Sequence, residues 1–142
     1  MAKQIFVNLP VTDLERSVAF YEAVGATKNP QFSDGTAACM VFSETIYAML
    51  TTHDKFRQFT PKPIADAKTS NQALFCLSAD SRNEVDDIVG RAEAAGGVAD
   101  PGPKDEYSFM YGRSFEDPDG HMWGVNWLDM AAAPKQPDTT NA

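Results

Sequence analysis

The chain has 142 residues, and its 43% hydrophobic and 23% charged content is typical of one globular domain with a hydrophobic core. Its formal net charge of −8 at pH 7 argues against a nucleic-acid partner and an anionic membrane surface. The apolar runs are too short to span a membrane, and the first residues lack the apolar region of a signal peptide. We therefore predict a cytoplasmic protein, and the charge leaves a small-molecule ligand open.

The chain begins with a segment that predicts a strand and then a helix. Residues 5–11 have apolar side chains at every odd position, which predicts a strand whose odd positions face the core. Phe6 and Asn8 then face the other way. Thr12 and Glu15 have the spacing of a capping box, so we expect the first helix to begin there.

The same order of elements returns in the second half of the chain. A second alternating segment starts near residue 72, and Ser81 and Glu84 repeat the capping box. Gly96 ends the second predicted helix as Gly25 ends the first. These matches indicate an internal repeat of about 65 to 70 residues, which is one supersecondary unit per copy.

The remaining segments complete two βαβββ units. Further strands are predicted at 37–42, 46–51, 107–115 and 121–128. We predict one domain over residues 1–130, made of a first unit (1–52), a linker (53–70) and a second unit (71–130). The linker contains a short helical segment at 54–59. Residues 131–142 contain too little apolar area to offset ordering, so we predict a disordered tail.

The chain has two cysteines, Cys39 and Cys76, and both lie in apolar, strand-like segments. In a reducing compartment such residues are most often buried free thiols. We therefore predict two buried thiols without a disulfide.

Two motifs resemble those of the vicinal-oxygen-chelate superfamily, which includes glyoxalase I, extradiol dioxygenases, and fosfomycin and bleomycin resistance proteins. One is the turn Asp117-Pro118-Asp119-Gly120 with the strand after it, and the other is the strand-to-helix passage at 11–21. The resemblance implies an α+β fold in which paired βαβββ units form curled mixed sheets around a cavity. A helix covers the convex face of each sheet. The resemblance also implies a homodimer.

Enzymes of that superfamily hold a divalent metal with histidine and glutamate side chains from several strands. Mapped onto this chain, the ligand positions fall at Phe6, Met49, Gln72 and Gly124. A divalent ion of this kind needs three or four good donors, and these four residues offer one neutral amide oxygen. We therefore predict that the inherited metal site is lost.

The two histidines offer little for a relocated metal site. His53 follows a predicted strand end and is better explained as a solvated linker residue. His121 follows the turn glycine, where side chains usually lie at the rim of a sheet. The sequence contains no recognisable pairing of serine or cysteine with histidine for nucleophilic catalysis.

The alternation of side chains along the strands and the resemblance together predict an apolar, thioether-rich pocket with a few amides. On the strand 107–115, parity permits either Met110, Gly112 and Ser114 or Tyr111 and Arg113 to face the pocket, and the resemblance favours the first set. The predicted ligand-binding residues are Phe6, Asn8, Tyr47, Met49, Gln72, Cys76, Met110, Ser114, Met122, Gly124 and Asn126.

Such a pocket is typical of a small-molecule binding site. We predict a metal-free, glyoxalase- or bleomycin-resistance-like protein that binds a small, partly apolar molecule. The alternative is a lactoylglutathione lyase-like or other enzyme of the superfamily that uses a displaced metal or none. A third reading is an interaction module whose cavity is filled by its own side chains.

Overall fold

Two mixed β-sheets, each backed by one helix, make up the protein. The computed structural model describes residues 2–132. The first unit consists of β1 (Ile5–Val11), α1 (Leu14–Ala23), β2 (Thr27–Asn29), a short 3-10 helix (Pro30–Phe32), β3 (Ala37–Val41) and β4 (Ile46–Thr52). The linker begins with α2 (His53–Phe56). The second unit consists of β5 (Phe75–Ala79), α3 (Arg82–Ala94), β6 (Val98–Ala99), β7 (Asp105–Tyr107), β8 (Met110–Glu116) and β9 (Met122–Leu128).

The two units have the same strand order. The first sheet runs β1-β4-β3-β2 and the second runs β5-β9-β8-β6, with β7 added beside β8. In both sheets the first strand of the unit pairs parallel with the last, and the other pairs are antiparallel. The predicted α+β fold with repeated βαβββ units is confirmed.

The predicted start of the second helix is confirmed and that of the first is wrong. The Ser81 hydroxyl accepts a hydrogen bond from the Glu84 amide at 3.1 Å. In α1 the capping residue is Asp13, whose carboxylate accepts from the Arg16 amide at 3.1 Å. Thr12 does not cap the helix, because both its amide and its hydroxyl donate to the carboxylate of Asp119.

Three predicted boundaries also change. The predicted strand at 107–115 is divided by a turn between β7 and β8. The second unit's first strand begins at Phe75 rather than near residue 72, and the helix predicted at 54–59 is the single turn α2. Of the predicted tail, residues 131 and 132 form a turn after Asp129, and the rest lies outside the described residues.

Both units contribute to one hydrophobic core. Phe20 of α1 lies 5.8 Å from Phe115 of β8 between ring centroids, and Tyr21 lies 6.0 Å from Trp123 of β9. Phe42, just after β3, lies 5.5 Å from Trp123. Because side chains alternate along a strand, every second residue of each sheet points away from this shared core.

The turn at 117–120 joins the two units through buried hydrogen bonds. The Tyr21 hydroxyl donates to the Asp117 carboxylate at 2.6 Å, and the indole N–H of Trp123 donates to the Tyr21 oxygen at 3.0 Å. Burial is the largest cause that raises the pKa of Asp117. Burial, and next the negative field of Asp117, raise the pKa of the Tyr21 hydroxyl. The turn at 117–120 therefore adds buried hydrogen bonds to the aromatic contacts between the two units.

Within residues 2–132, no helix combines the length and the apolar character that a membrane crossing requires. The cytoplasmic location stays a prediction.

Candidate functional site

The outer face of the first sheet carries an aromatic pair, of which Phe6 is exposed and Tyr47 is half-buried. Phe6 of β1 and Tyr47 of β4 are register partners, and their rings stack at 4.5 Å between centroids with an angle of 12° between planes. Phe6 is 48% exposed. The pair lies on this face because the alternate residues of both strands are taken up by the core. Two stacked rings left open to solvent are a ready surface for a flat apolar ligand.

These rings form one wall of a cavity of about 510 Å³ on the first sheet. It is lined by Gln4, Phe6, Asn29, Phe32, Cys39, Tyr47 and Met49. Met49 lies between Asn8 and Cys39 in the strand register, so it occupies the middle of this face. Burial raises the pKa of the Cys39 thiol. The cavity wall is thus aromatic and sulfur-rich.

Hydrogen bonds hold the rim of this cavity. The Tyr47 hydroxyl donates to the Glu44 carbonyl at 2.9 Å and accepts from the Gln4 amide at 3.1 Å. The Asn8 side-chain amide donates to the carbonyl of Phe6 at 3.2 Å. Asn8 is therefore tied to its own strand, while Tyr47 is held in the orientation that stacks on Phe6.

The middle of the outer face of the second sheet is lined by small side chains. Cys76 of β5, Gly124 of β9 and Ser114 of β8 are neighbours in register across three strands. A Cβ atom added to Gly124 would lie 2.9 Å from the Cys76 sulfur. Cys76 is exposed, which corrects the prediction that both thiols are buried; Cys39 is buried, and both are free thiols.

Asn126 and Gly112 form the next row on this face. A Cβ atom added to Gly112 would lie 2.2 Å from the Asn126 side-chain oxygen, so the glycine leaves space for that amide. Tyr111 and Arg113 project from the opposite face of β8 toward α3, where both bind Asp86. The alternative left open by the sequence is therefore decided in favour of Met110, Gly112 and Ser114 on the outer face.

An ion pair fixes Arg113 on the inner side of the second sheet. Its guanidinium donates to the Asp100 carboxylate at 2.6 and 2.9 Å and to Asp86 at 2.9 Å. The hydrogen bond from Arg113 lowers the pKa of Asp100, and the hydrogen bond from Tyr111, followed by that from Arg113, lowers the pKa of Asp86. These ion pairs and hydrogen bonds hold α3 against β8.

Gln72 and Met122 lie in a different place from the other predicted site residues. They line a cavity of about 320 Å³ between the linker, the end of β1 and the start of β9. His121 lines the same cavity, and its Nε2 atom lies 2.8 Å from the Pro10 carbonyl oxygen. Because a carbonyl only accepts, Nε2 carries the hydrogen. Gln72 precedes β5, so strand parity did not govern its direction.

The four positions of the family metal site do not fit a metal ion. Phe6 and Met49 line the first-sheet cavity, Gly124 has no side chain, and the single amide of Gln72 lies in the linker cavity. No group of three or more potential histidine, cysteine or carboxylate ligands occurs within residues 2–132. The lack of a cofactor nevertheless stays a prediction.

Several cavity residues were not predicted from the sequence. Gln4, Asn29, Phe32 and Cys39 line the first-sheet cavity, and most of the linker cavity comes from residues 56–73. Phe32 could have been recognised as a candidate site residue, since it is a large apolar residue in a polar loop. The linker could have been recognised too, because its apolar residues follow neither strand nor helix periodicity and so are not explained by a core-facing element.

Comparison with known proteins agrees with this geometry. The chain matches the model of the Glyoxalase/Bleomycin resistance protein/Dioxygenase superfamily over residues 3–125. No curated protein sequence matches the chain.

Solved structures that share the fold include proteins from three organisms. A hypothetical protein from S. aureus is 24% identical with a TM-score of 0.74, covering 90% of this chain and 95% of that one. A glyoxalase-related enzyme from Fulvimarina pelagi is 19% identical with a TM-score of 0.75, covering 97% and 95%. TnmS3, an antibiotic binding protein from Streptomyces sp. CB03234, is 20% identical with a TM-score of 0.63, covering 90% and 97%. At these identities the likeness shows the fold, and the family model, which covers most of the chain, shows that the protein belongs to the Glyoxalase/Bleomycin resistance protein/Dioxygenase superfamily.

Proposed function

We propose that this protein binds a small, partly apolar molecule on the outer face of its first sheet, without a metal ion. The observation that carries the proposal is the stacked Phe6–Tyr47 pair at the edge of an open cavity of about 510 Å³. This size suits a small organic ligand. The pair contributes little to the core because it lies on the side of the sheet away from it.

The lining favours a ligand with an aromatic or conjugated body. Phe6 and Tyr47 offer ring faces, and Met49 offers a flexible thioether that adapts to irregular shapes. Gln4 and Asn29 add amides at the cavity wall that can orient polar substituents. TnmS3, which shares the fold, is described as an antibiotic binding protein, and this supports a binding role on this scaffold.

We further propose that a second copy of the chain covers the site. Both outer sheet faces expose a large apolar side chain, Phe6 on the first and Leu128 on the second. Exposed apolar surface of this kind marks an interaction face. Gly124 has no side chain, so the bulky first face of the partner and its ligand could approach the second sheet closely there. Light scattering after gel filtration tests the dimer, and a monomer with intact ligand binding would contradict this arrangement.

Binding is tested with a matched pair of phenylalanine variants. A panel of aromatic drugs is screened by thermal shift, and the affinity of any compound that raises the melting temperature is measured by calorimetry. We expect Phe6→Ala to lower that affinity about tenfold, which is the loss of one stacking contact and its buried area. Phe59→Ala is the control, because Phe59 is also exposed, at 62%, but lies in the linker. Equal effects of both variants, or a panel without any binder, would contradict the proposal.

The enzymatic alternative makes a different prediction. A lactoylglutathione lyase-like or other activity through a displaced metal requires stoichiometric Ni²⁺, Zn²⁺, Fe²⁺ or Mn²⁺. Elemental analysis of the purified protein and metal titration by calorimetry test this. Stoichiometric metal binding at micromolar affinity or tighter would replace the metal-free proposal with the enzymatic one.

A further inference from the structure

The linker forms a second cavity that is separate from the proposed site on the first sheet. Eighteen residues between α2 and β5 have neither helix nor strand, and connections of this length within a domain usually have a function. They enclose two adjoining compartments of about 320 and 570 Å³. The compartments share Pro10, Pro63, Ile64, Ala65, Ala67 and His121 as walls, so one ligand can occupy both.

The linker is held against the turn between β8 and β9. A Cβ atom added to Gly120 would lie 2.7 Å from the Lys68 amide nitrogen and 2.8 Å from the Ala67 carbonyl carbon. The Asp66 carboxylate accepts from the Lys68 amide at 3.0 Å, and its carbonyl accepts from Ser70. Backbone contact and a local turn together set the linker's position, so the cavity exists without a ligand.

The two compartments differ in chemical character. The smaller is lined by the apolar side chains of Phe56, Ile64, Phe75 and Met122. The larger is lined by His53, Arg57 and Lys68 together with the acids Asp66 and Asp119. Those acids are engaged, Asp66 with the Lys68 amide and Asp119 with Thr12.

The charged side chains around the two compartments carry a small positive excess on an acidic protein. Arg57, Lys62 and Lys68 stand against Asp66 and Asp119, a formal charge of +1 (three basic minus two acidic), whereas the whole chain carries −8. Arg57 pairs with Asp54, which is almost fully exposed, and Lys62 stands at the apolar compartment. A local positive charge on an acidic protein selects anions.

We infer that the linker cavity binds an amphipathic organic anion, with its apolar body against Phe75 and Met122 and its carboxylate toward Arg57 and Lys68. His121 stands between the two compartments, and its hydrogen bond to the Pro10 carbonyl holds the ring there. This binding site is independent of the proposed function, because it shares no residue with the cavity on the first sheet.

Calorimetry with 1-naphthoate and its neutral counterpart 1-naphthamide tests the chemical class. We expect 1-naphthoate to bind, and 1-naphthamide to bind about fivefold more weakly, a modest difference because attraction between exposed charges is weak. The double variant R57Q/K68Q should weaken naphthoate binding about fivefold. The control K3Q/K28Q removes the same charge from exposed sites elsewhere and should leave it unchanged. Equal affinity for both compounds, equal loss in both double variants, or no naphthoate binding would overturn the inference.

The location is tested by filling the cavity. Ala65 is exposed and lines both compartments, so Ala65→Trp should abolish naphthoate binding in a protein whose melting temperature confirms folding. Phe6→Ala should leave naphthoate affinity unchanged, since it alters only the first-sheet site. If Ala65→Trp binds naphthoate as the unmodified protein does, or if Phe6→Ala abolishes binding, the inference is overturned, and the second result would assign the anion to the first-sheet site.

Discussion

The two units are alike where they face the shared core and differ on their outer faces. Val7, Leu9 and Val11 of β1 lie inward, as Phe75 and Leu77 of β5 do. On the outer faces the first unit carries bulky residues such as Phe6 and Met49, and the second carries Cys76, Gly124 and Ser114. The core requires similar apolar residues in both units, whereas the outer faces are under no such constraint. The outer faces are therefore where ligand selectivity is expected to reside.

The helix ends extend this comparison. At the end of α1, the Gly25 and Ala26 amides donate to the carbonyls of Glu22 and Tyr21, and at the end of α3 the Gly96 and Gly97 amides make the equivalent bonds. Gly25 and Gly96 both have positive φ, at 112° and 101°. The residue after this glycine is Ala26 in the first unit and Gly97 in the second, which points to a local difference in packing.

The largest expected effect on stability comes from Gly97→Ala, which gives the end of α3 the same glycine–alanine pair as the end of α1. In Gly97→Ala the new Cβ would lie 2.3 Å from the Glu116 carbonyl oxygen and 2.7 Å from Phe20. Since one neighbour is backbone, we expect the free energy of unfolding to fall by about 3 kcal/mol. Gly96→Ala is the control, because only its positive φ is strained, and it should lower stability by about 1 kcal/mol. Urea unfolding measures both, and equal losses would contradict the packing explanation.

The next largest effect on stability concerns the buried hydrogen bonds of Asp117 between the two units. Asp117→Ala leaves the Tyr21 hydroxyl and the amides of Asp119 and His121 without their acceptor. We expect a loss of about 2 kcal/mol in the free energy of unfolding. Asp87→Ala is the control, since it removes only an exposed ion pair with Arg91 and should change stability by less than about 0.5 kcal/mol. Comparable losses in both variants would show that the buried network is not what joins the units.

A third variant makes the outer face of the second unit resemble that of the first. Gly124→Leu places a bulky side chain beside Cys76, whose exposed side chain can move aside. If the second sheet of a partner covers the ligand, affinity should fall at least about tenfold, or 1.4 kcal/mol, while the melting temperature changes little. Calorimetry with a ligand from the thermal-shift screen measures this. Unchanged affinity would indicate that the first sheet binds alone.

The smallest effect is a pH dependence of the contribution that Asp117 makes to the free energy of unfolding. Because the pKa of Asp117 is raised in the folded protein, unfolding releases a proton, and stability falls as pH rises from about 3.9 through the native pKa. Asp117→Asn lacks this titration. The stability of the unmodified protein relative to the variant should therefore fall over that window, by less than about 1.4 kcal/mol per pH unit. Urea unfolding at stepped pH measures the difference, and a rising difference would contradict the raised pKa.

Much of the fold was predictable because its signals are local. The core-facing alternation at 7–11, the Ser81 cap and the glycines that end both helices follow from neighbouring residues, whereas Ile5, predicted to face the core, is 57% exposed at the start of β1. The cap at Thr12 was misread for a tertiary reason. Its hydroxyl and amide bind Asp119, which is 107 residues away, and Asp13 caps α1 instead.

The site was predictable only in part. Parity identified Phe6, Tyr47 and Met49, which the structure brings together around one cavity. Parity failed for Gln72 because β5 begins three residues later, so that residue faces the linker cavity. The choice between the two faces of β8 needed the contacts of Tyr111 and Arg113 with α3.

By itself the sequence determined the repeated βαβββ order, the residues that form the core, and the absence of strong metal donors at the four family positions. These follow from periodicity and side-chain chemistry, which act over a few residues. Only the tertiary structure decided that Asp117 and Asp119 join the two units and that the linker encloses a cavity of its own. Those features depend on contacts between distant segments, which no local pattern encodes.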